Sequence, residues 1–416
     1  MTTVAVRPVS HDDGESLAAT ATRALDLRIP LVLTIATHGA DPLESVAALH
    51  GWGATGGALA QCSGTVPVLV VVDGPVTSSL ALMLGLADLV IMTEAAMAYV
   101  SGPTAVADLT GLLRSADELG GPDAHAAASG LAACVVRDRT DAFAWADAVL
   151  RYLPPNVDSE PSVVPTSDPA TRHVPELRDL VPTDAKVGYD VRDILTRVVD
   201  HGELLELRDR WAPNIVTGFA SVAGLPVGIV ANQPQVMAGT IDIVASQKAA
   251  RFVALCDAFN VPILTFVDTP GFLPGVDLEW RGMIRHGAQL AYAYAEATVP
   301  RVAVVTRKAY GGAYIVMDCK AMGNDLCFAW PSAEIAVMGA RGAVQILHRG
   351  VDEPTRRALE RDYDRTYANP YIAAARGYVD DVIDPADTRS KVSAALQLLR
   401  TKQDRPRPRR HGNCPL

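Results

Sequence analysis

A duplicated, layered α/β architecture is what this sequence predicts, and three observations predict it. Strand-like apolar runs alternate with helical patterns along the whole chain, as they do where helices cover a mostly parallel sheet. Two pairs of segments recur with matched order and spacing, the sign of a repeated domain. A stretch rich in proline, serine and aspartate separates the two sets. At 416 residues the chain is long enough for two domains that each bury a core.

The repeat is carried by specific residues. The segment Arg28-Ile-Pro-Leu-Val-Leu-Thr-Ile-Ala-Thr-His-Gly39 resembles Asn260-Val-Pro-Ile-Leu-Thr-Phe-Val-Asp-Thr-Pro-Gly271. Further on, Thr65-Val-Pro-Val-Leu-Val-Val-Val resembles Thr298-Val-Pro-Arg-Val-Ala-Val-Val. The prolines Pro30 and Pro67 are separated by almost the same interval as Pro262 and Pro300. At the same distance past each threonine come small residues, Ser78-Ser79 or Gly311-Gly312, and then a helical pattern. Either likeness alone could be two buried strands; both in register point to duplication. The stretch Pro154 to Pro169 has no sustained apolar period and reads as a linker. It puts the domains at residues 1–170 and 171–416. The tail from Lys402 to Leu416 is basic and proline-rich and reads as extended.

Composition narrows the function classes. A net charge of −10 argues against a nucleic acid as the main partner. The cysteines Cys62, Cys134, Cys256, Cys319, Cys327 and Cys414 form no CxxC pair, which fits reduced thiols in a cytoplasmic protein. The first residues lack the basic and apolar regions of a secretory signal. The apolar stretch Val66 to Val100 is broken by Asp73, Asp88 and Glu94, so it reads as buried strands and a helix rather than a membrane span. No metal-ligand spacing, P-loop or GxSxG elbow is present, and no metal is expected.

Several motifs carry little. Gly51-Trp-Gly-Ala-Thr-Gly56 spells a GxGxxG string, but it follows a helical pattern from Leu43 to His50 instead of a strand, so the dinucleotide reading fails. His286 lies near the start of a helical stretch, Ala288 to Ala297, and reads as structural or surface. Asp268-Thr-Pro-Gly271 has no P-loop to work with. Glu353 to Arg365 reads as a solvated helix face. The turn Gly311-Gly312-Ala313-Tyr314 is different. A strand that ends in a glycine turn opening a helix points backbone N–H groups outward, where they can steady a developing oxyanion. It can equally be a corner needed for tight strand–helix packing. On the turn alone the packing reading is the better one.

From Tyr189 onward the chain closely resembles the β, or carboxyltransferase, subunits of propionyl-CoA and related acyl-CoA carboxylases. The resemblance lies in Asn214-Ile-Val-Thr-Gly-Phe-Ala, Pro226-Val-Gly-Ile-Val-Ala-Asn-Gln-Pro, Lys248-Ala-Ala-Arg-Phe-Val, Val267-Asp-Thr-Pro-Gly-Phe-Leu-Pro-Gly, Arg285-His-Gly-Ala and Tyr292-Ala-Tyr-Ala-Glu-Ala-Thr-Val-Pro. It continues in Thr306-Arg-Lys-Ala-Tyr-Gly-Gly-Ala-Tyr, Ala329-Trp-Pro-Ser-Ala-Glu-Ile-Ala-Val-Met-Gly-Ala and the ending His411-Gly-Asn-Cys-Pro-Leu. This reverses the preference at Gly311-Gly312. The resemblance implies two tandem crotonase-like domains of ββα superhelical type. The first would serve the acyl-CoA and the second biotin. It implies a homohexamer working with a biotin carboxylase and a separate biotin carboxyl carrier subunit. Carboxybiotin would release CO₂ locally, the ureido anion would take the α-proton of the acyl thioester, and the enolate would attack CO₂. On that pattern Gly311, Gly312 and Ala313 form the biotin-side oxyanion turn, with Gly312 and Ala313 holding the biotin carbonyl. The corresponding turn of the first half would hold the thioester carbonyl.

Two departures stand out. The opening of the first half is short against the family, and its oxyanion Gly-Gly is Ser78-Ser79, within Gly74-Pro-Val-Thr-Ser-Ser. Backbone N–H groups survive that exchange while φ/ψ freedom shrinks. Similarity persists in Ser101-Gly-Pro, Glu118-Leu-Gly-Gly and Tyr152-Leu-Pro-Pro. After Tyr314 comes Ile315, where propionyl-type members carry aspartate, so the acyl pocket wall is apolar and a bulkier or carrier-borne acyl group is expected. The alternatives are an acyl-CoA decarboxylase of the same superfamily and a non-catalytic assembly subunit.

Overall fold

The computed structural model describes residues 7–402, 404, 412, 413 and 415. Cys414 and most of the tail lie outside the described residues. The chain divides into two compact units. One comprises Met1–Ser162, Leu207–Trp211 and Ala258–Asn260; the other comprises Val163–Glu206, Ala212–Asp257 and Val261–Leu416.

In the first unit the strands are β1 (Leu31–Thr37), β2 (Val68–Thr77), β3 (Leu89–Thr93), β4 (Met97–Tyr99) and β5 (Ala132–Val136). The sheet order is β1-β2-β3-β5, with β4 alongside the far end of β2, and every pairing is parallel. The strands are continuous Val, Ile and Leu runs because helices cover the sheet and leave few positions for polar residues. Helix His11–Leu27 starts at a capping box in which Ser10 and Asp13 satisfy each other's amides. It crosses helix Val46–Cys62 so closely that a Cβ on Gly14 would fall 2.3 Å from the carbonyl carbon of Gly51. The GxGxxG string therefore lies inside a helix, where Gly51 permits a backbone-to-backbone crossing. Thr55 locks that crossing by donating to the Gly14 carbonyl at 2.8 Å.

The second unit contains β6 (Leu204–Leu207, all but its last residue), β7 (Ile215–Val222), β8 (Leu225–Asn232), β9 (Ile263–Thr269), β10 (Arg301–Tyr310), β11 (Leu326–Ala329), β12 (Glu334–Ala336) and β13 (Asp381–Val382). The order is β13-β11-β10-β9-β8-β7-β6, with β12 alongside the far end of β10. The β7–β8 hairpin turns through Ala223 and Gly224, both with positive φ, and the Asp200 carboxylate accepts from both turn amides at 2.9 and 2.7 Å. The proline-rich stretch is irregular. Its end is anchored by the fully buried Arg389, which donates to the Pro169 carbonyl at 2.9 Å and to Asp200 at 2.6 Å.

The internal repeat extends to individual hydrogen bonds. Leu31 N–H donates to the Pro67 carbonyl at 2.8 Å, and Ile263 N–H donates to Pro300 at 2.9 Å. The amide that opens each central strand meets an aspartate: Val68 with Asp88 at 2.9 Å and Arg301 with Asp325 at 2.8 Å. Just past β1 and β9, Gly39 (φ 109°) and Gly271 (φ 141°) close the same turn over Thr37 and Thr269. Each glycine carbonyl then accepts from a preceding segment, from Val9 at 2.8 Å and Ile241 at 3.1 Å. Among the described residues, no helix is long and apolar enough to cross a membrane.

Candidate active site

The site of the second unit is built at the end of β10. β9 and β10 run in parallel register from Arg301↔Ile263 to Val305↔Val267, then resume at Ala309↔Thr269. Thr306, Arg307 and Lys308 thus face the single residue Asp268, a bulge after which the strand end pairs with β12 while Ala309 still pairs with β9. The buried Asp268 carboxylate spans the bulge, accepting from Arg307 Nε at 3.0 Å and the Lys308 amide at 3.1 Å. Arg307 continues to the Val187 carbonyl at 2.9 Å and lies 5.1 Å from the centre of the Tyr189 ring. Burial raises the Asp268 carboxyl above the usual range even though Arg307 pulls it down, and burial lowers the Lys308 ammonium.

Beyond the bend, Tyr310 leads into Gly311, which takes φ 56° and opens the short helix Gly311–Val316. A Cβ on Gly311 would stand 3.0 Å from the Val337 carbonyl oxygen, so both conformation and space ask for glycine. Gly312 is exposed and Ala313 is fully buried. Their amides fall in the first helical turn, where no intrahelical acceptor exists. Phe272 walls the turn: a Cβ on Gly312 would meet its ring at 3.3 Å. Gly287, on helix Met283–Glu296, leaves room for the same ring from the other side. Tyr310 donates its hydroxyl to Glu334, and burial, then that carboxylate, raises the Tyr310 phenol. Tyr314 is half-buried with its phenol raised by burial, while Ile315 is 47% exposed beside it.

The corresponding corner of the first unit follows β2. Ser78 takes φ 69° and opens a 3₁₀ turn, Ser78–Leu86, with Ser78 and Ser79 exposed and Leu80 buried in the position of Ala313. Gly39 passes close by, such that a Cβ there would lie 3.3 Å from the Ser78 Cβ.

Of the residues singled out in the sequence, Gly311, Gly312, Ala313, Tyr314 and Ile315 make one turn, and Ser78 with Ser79 make its counterpart in the other unit. His286 sits within helix Met283–Glu296 and hydrogen-bonds Gln289 and Gln247 at 3.1 and 3.2 Å. Sequence reasoning missed Asp268, Arg307 and Phe272. The available signal was an aspartate ending one buried strand and an arginine near the end of the next. Cys62, Cys256, Cys319 and Cys327 are buried free thiols, and burial pushes Cys327 up to about 12. Among the described residues, no cluster of three or more His, Cys, Asp or Glu side chains is placed to hold a metal.

Two units, one with a parallel and one with a mostly parallel sheet, each turning its central strand through a left-handed corner into a helix, define the crotonase-like carboxyltransferase fold. The carboxyl transferase domain matches residues 2–414. The chain is 43% identical over 410 residues to the carboxyltransferase subunit of propionyl-CoA carboxylase from Haloferax mediterranei, covering 97% of this chain and 79% of that one. It is 41% identical over 394 residues to methylmalonyl-CoA decarboxylase subunit alpha from Veillonella parvula, covering 94% and 77%. The structure of transcarboxylase 12S, a hexamer with hydrolysed methylmalonyl-CoA bound, superposes with a TM-score of 0.96 at 44% identity, covering 98% of this chain and 80% of that one. The chain belongs to the carboxyl transferase domain family, and the acyl-CoA carboxyltransferase function expected from its sequence is that family's.

Proposed function

We propose that the chain moves a carboxyl group between biotin, carried on a separate protein, and the α-carbon of an acyl-CoA thioester. The observation that carries this reading is the Gly311 corner: a left-handed glycine, an exposed Gly312 and two first-turn amides beside Phe272. The corner suits a ureido group, because at Gly312 only a hydrogen leaves the approach past the Phe272 ring open. Carboxybiotin would supply the carboxyl group and, after giving it up, the base for the α-proton. The chain's part is to hold and orient. The amides of Gly312 and Ala313 would donate to the biotin carbonyl, and those of the Ser78–Ser79 turn, at Ser79 and Leu80 in the same register, to the thioester carbonyl, each being worth about 3–4 kcal/mol of barrier. Ile315 and Tyr314 would form the acyl wall. No side-chain base is needed on this account.

The domain division at residue 170, with the acyl-CoA side first and the biotin side second, belongs to the same reading. So do a hexameric assembly, partnership with a biotin carboxylase and a biotin carboxyl carrier, a ligase-type overall reaction and a cytoplasmic setting. The relative from Veillonella favours one alternative, decarboxylation. Purified chain incubated with methylmalonyl-CoA and biotinylated carrier should carboxylate the carrier. Carrier-independent CO₂ release would point to the decarboxylase, and no turnover in either arm would contradict the catalytic reading.

A further inference from the structure

We infer that the buried Asp268–Arg307 pair positions the Gly311–Gly312 turn for the transfer reaction, beyond what the fold requires; the inference rests on the function proposed above. The molecule contains its own comparison. In the first unit the same bulge occurs, since β1 and β2 run in register to Ile35↔Val72 and resume at Thr37↔Val76. There Asp73, Gly74 and Pro75 face Ala36. The position of Asp268 is a buried alanine, and that of Arg307 is Gly74, at φ 129°. The bend is made by glycine and proline with no charge facing the partner strand. The one carboxylate of that bulge, Asp73, turns instead to Arg139 at 2.7 Å, and both are partly exposed.

The second unit makes the equivalent bend with an arginine 5% and an aspartate 2% exposed. Removing both charges from water costs several kcal/mol per ion, and a well-packed apolar pair is often as stable or more so. Fold stability alone therefore does not account for the pair. Its geometry fixes the strand end. Asp268 holds the side chain of Arg307 and the amide of Lys308, Arg307 reaches the Val187 carbonyl, and Lys308–Tyr310 then run beside β12 into Gly311. Amides that must meet a developing charge need placement to within about 0.5 Å, and this clamp ends three residues upstream of Gly311. Asp268 and Arg307 are positioning residues, acting through Gly312 and Ala313.

The test compares Asp268→Asn, Arg307→Met, the double variant and Arg307→Lys in the full chain. Transfer from methylmalonyl-CoA to biotinylated carrier and thermal unfolding are both followed. The double variant should unfold near the wild-type temperature yet lose kcat roughly 10- to 100-fold, with KM for methylmalonyl-CoA unchanged. Arg307→Lys, which keeps the charge but not the fork, should also lose kcat at nearly unchanged stability. Asp73→Asn, in the other bulge, should leave kcat as it is. Wild-type kcat in the double variant, or activity falling only in step with the folded fraction in both the double variant and Arg307→Lys, would overturn the inference while leaving the function intact. A wild type without turnover would overturn the functional reading and this inference with it.

Discussion

Ser78 and Gly311 occupy the same corner of the duplicated fold and hold the same left-handed backbone, at φ 69° and 56°. For a serine that conformation costs on the order of 1–2 kcal/mol, so the first unit carries strain that the second avoids. Ser78→Gly should raise stability by about 0.5 kcal/mol, strain relief being partly offset by the greater chain entropy of unfolded glycine. Gly311→Ala should lower it by about 1–2 kcal/mol, because the new Cβ also lies 3.0 Å from the Val337 carbonyl oxygen. Denaturant midpoints of the two variants give opposite signs on this account.

The helix crossing of the first unit gives a harsher outcome. A Cβ on Gly51 would come within 2.5 Å of the His11 carbonyl oxygen, a backbone atom that cannot swing aside. Gly51→Ala should destabilise by about 2–3 kcal/mol or more through overpacking. Gly53→Ala, which meets nothing within 4 Å, should be neutral or stabilising. Thermal unfolding of the pair separates a packing glycine from a permissive one.

Asp318 should make stability depend on pH. It follows the helix Gly311–Val316, accepts from Arg301 at 2.7 Å and from Asn324 at 2.8 Å, and is fully buried. Burial lifts its carboxyl to about 6 against an ordinary 3.8, with Arg301 acting in the opposite direction. The native state then binds the proton more tightly than the unfolded chain. The resulting stabilisation is complete below about pH 4 and is lost as pH rises through 6. Between pH 4 and 7 the wild type should lose on the order of 3 kcal/mol relative to Asp318→Asn, measured by denaturant unfolding at each pH.

Ile315 should set acyl preference. Its side chain stands half-exposed beside Tyr314 at the turn. An apolar wall favours longer acyl chains by about 1–3 kcal/mol per methylene that it covers. Ile315→Asp should reduce kcat/KM for butyryl- and hexanoyl-CoA by about tenfold relative to propionyl-CoA. An unchanged ratio across the series would remove Ile315 from the specificity account.

Much of this was legible in the sequence, and the reasons are local. Pro30, Pro67, Pro262 and Pro300 mark strand starts because proline cannot donate to the ladder, while the Pro67 and Pro300 carbonyls accept the first bond of the neighbouring strand. The alternation of buried strands and helices, and the small residues at each corner, followed from pattern alone. The left-handed state of Ser78 was not legible, since nothing in a Thr-Ser-Ser string demands positive φ; the surrounding fold imposes it. Nor was the Asp268–Arg307 clamp, whose members are 39 residues apart and meet only because a bulge sets three residues against one. The helix bearing His286 also begins earlier than its apolar period shows, at Met283, because Ile284 and Arg285 in its first turn are exposed and break that period.

The central claim is that the first-turn backbone amides at the Gly311 turn carry the charge of the reaction, and Gly312→Val tests it most directly. Valine brings two methyl groups to a site where even a Cβ meets Phe272 at 3.3 Å, which closes the approach to the amides. With methylmalonyl-CoA and biotinylated carrier, kcat should fall by about 100-fold or more while cooperative unfolding is kept. Full turnover by a folded Gly312→Val protein would contradict the account.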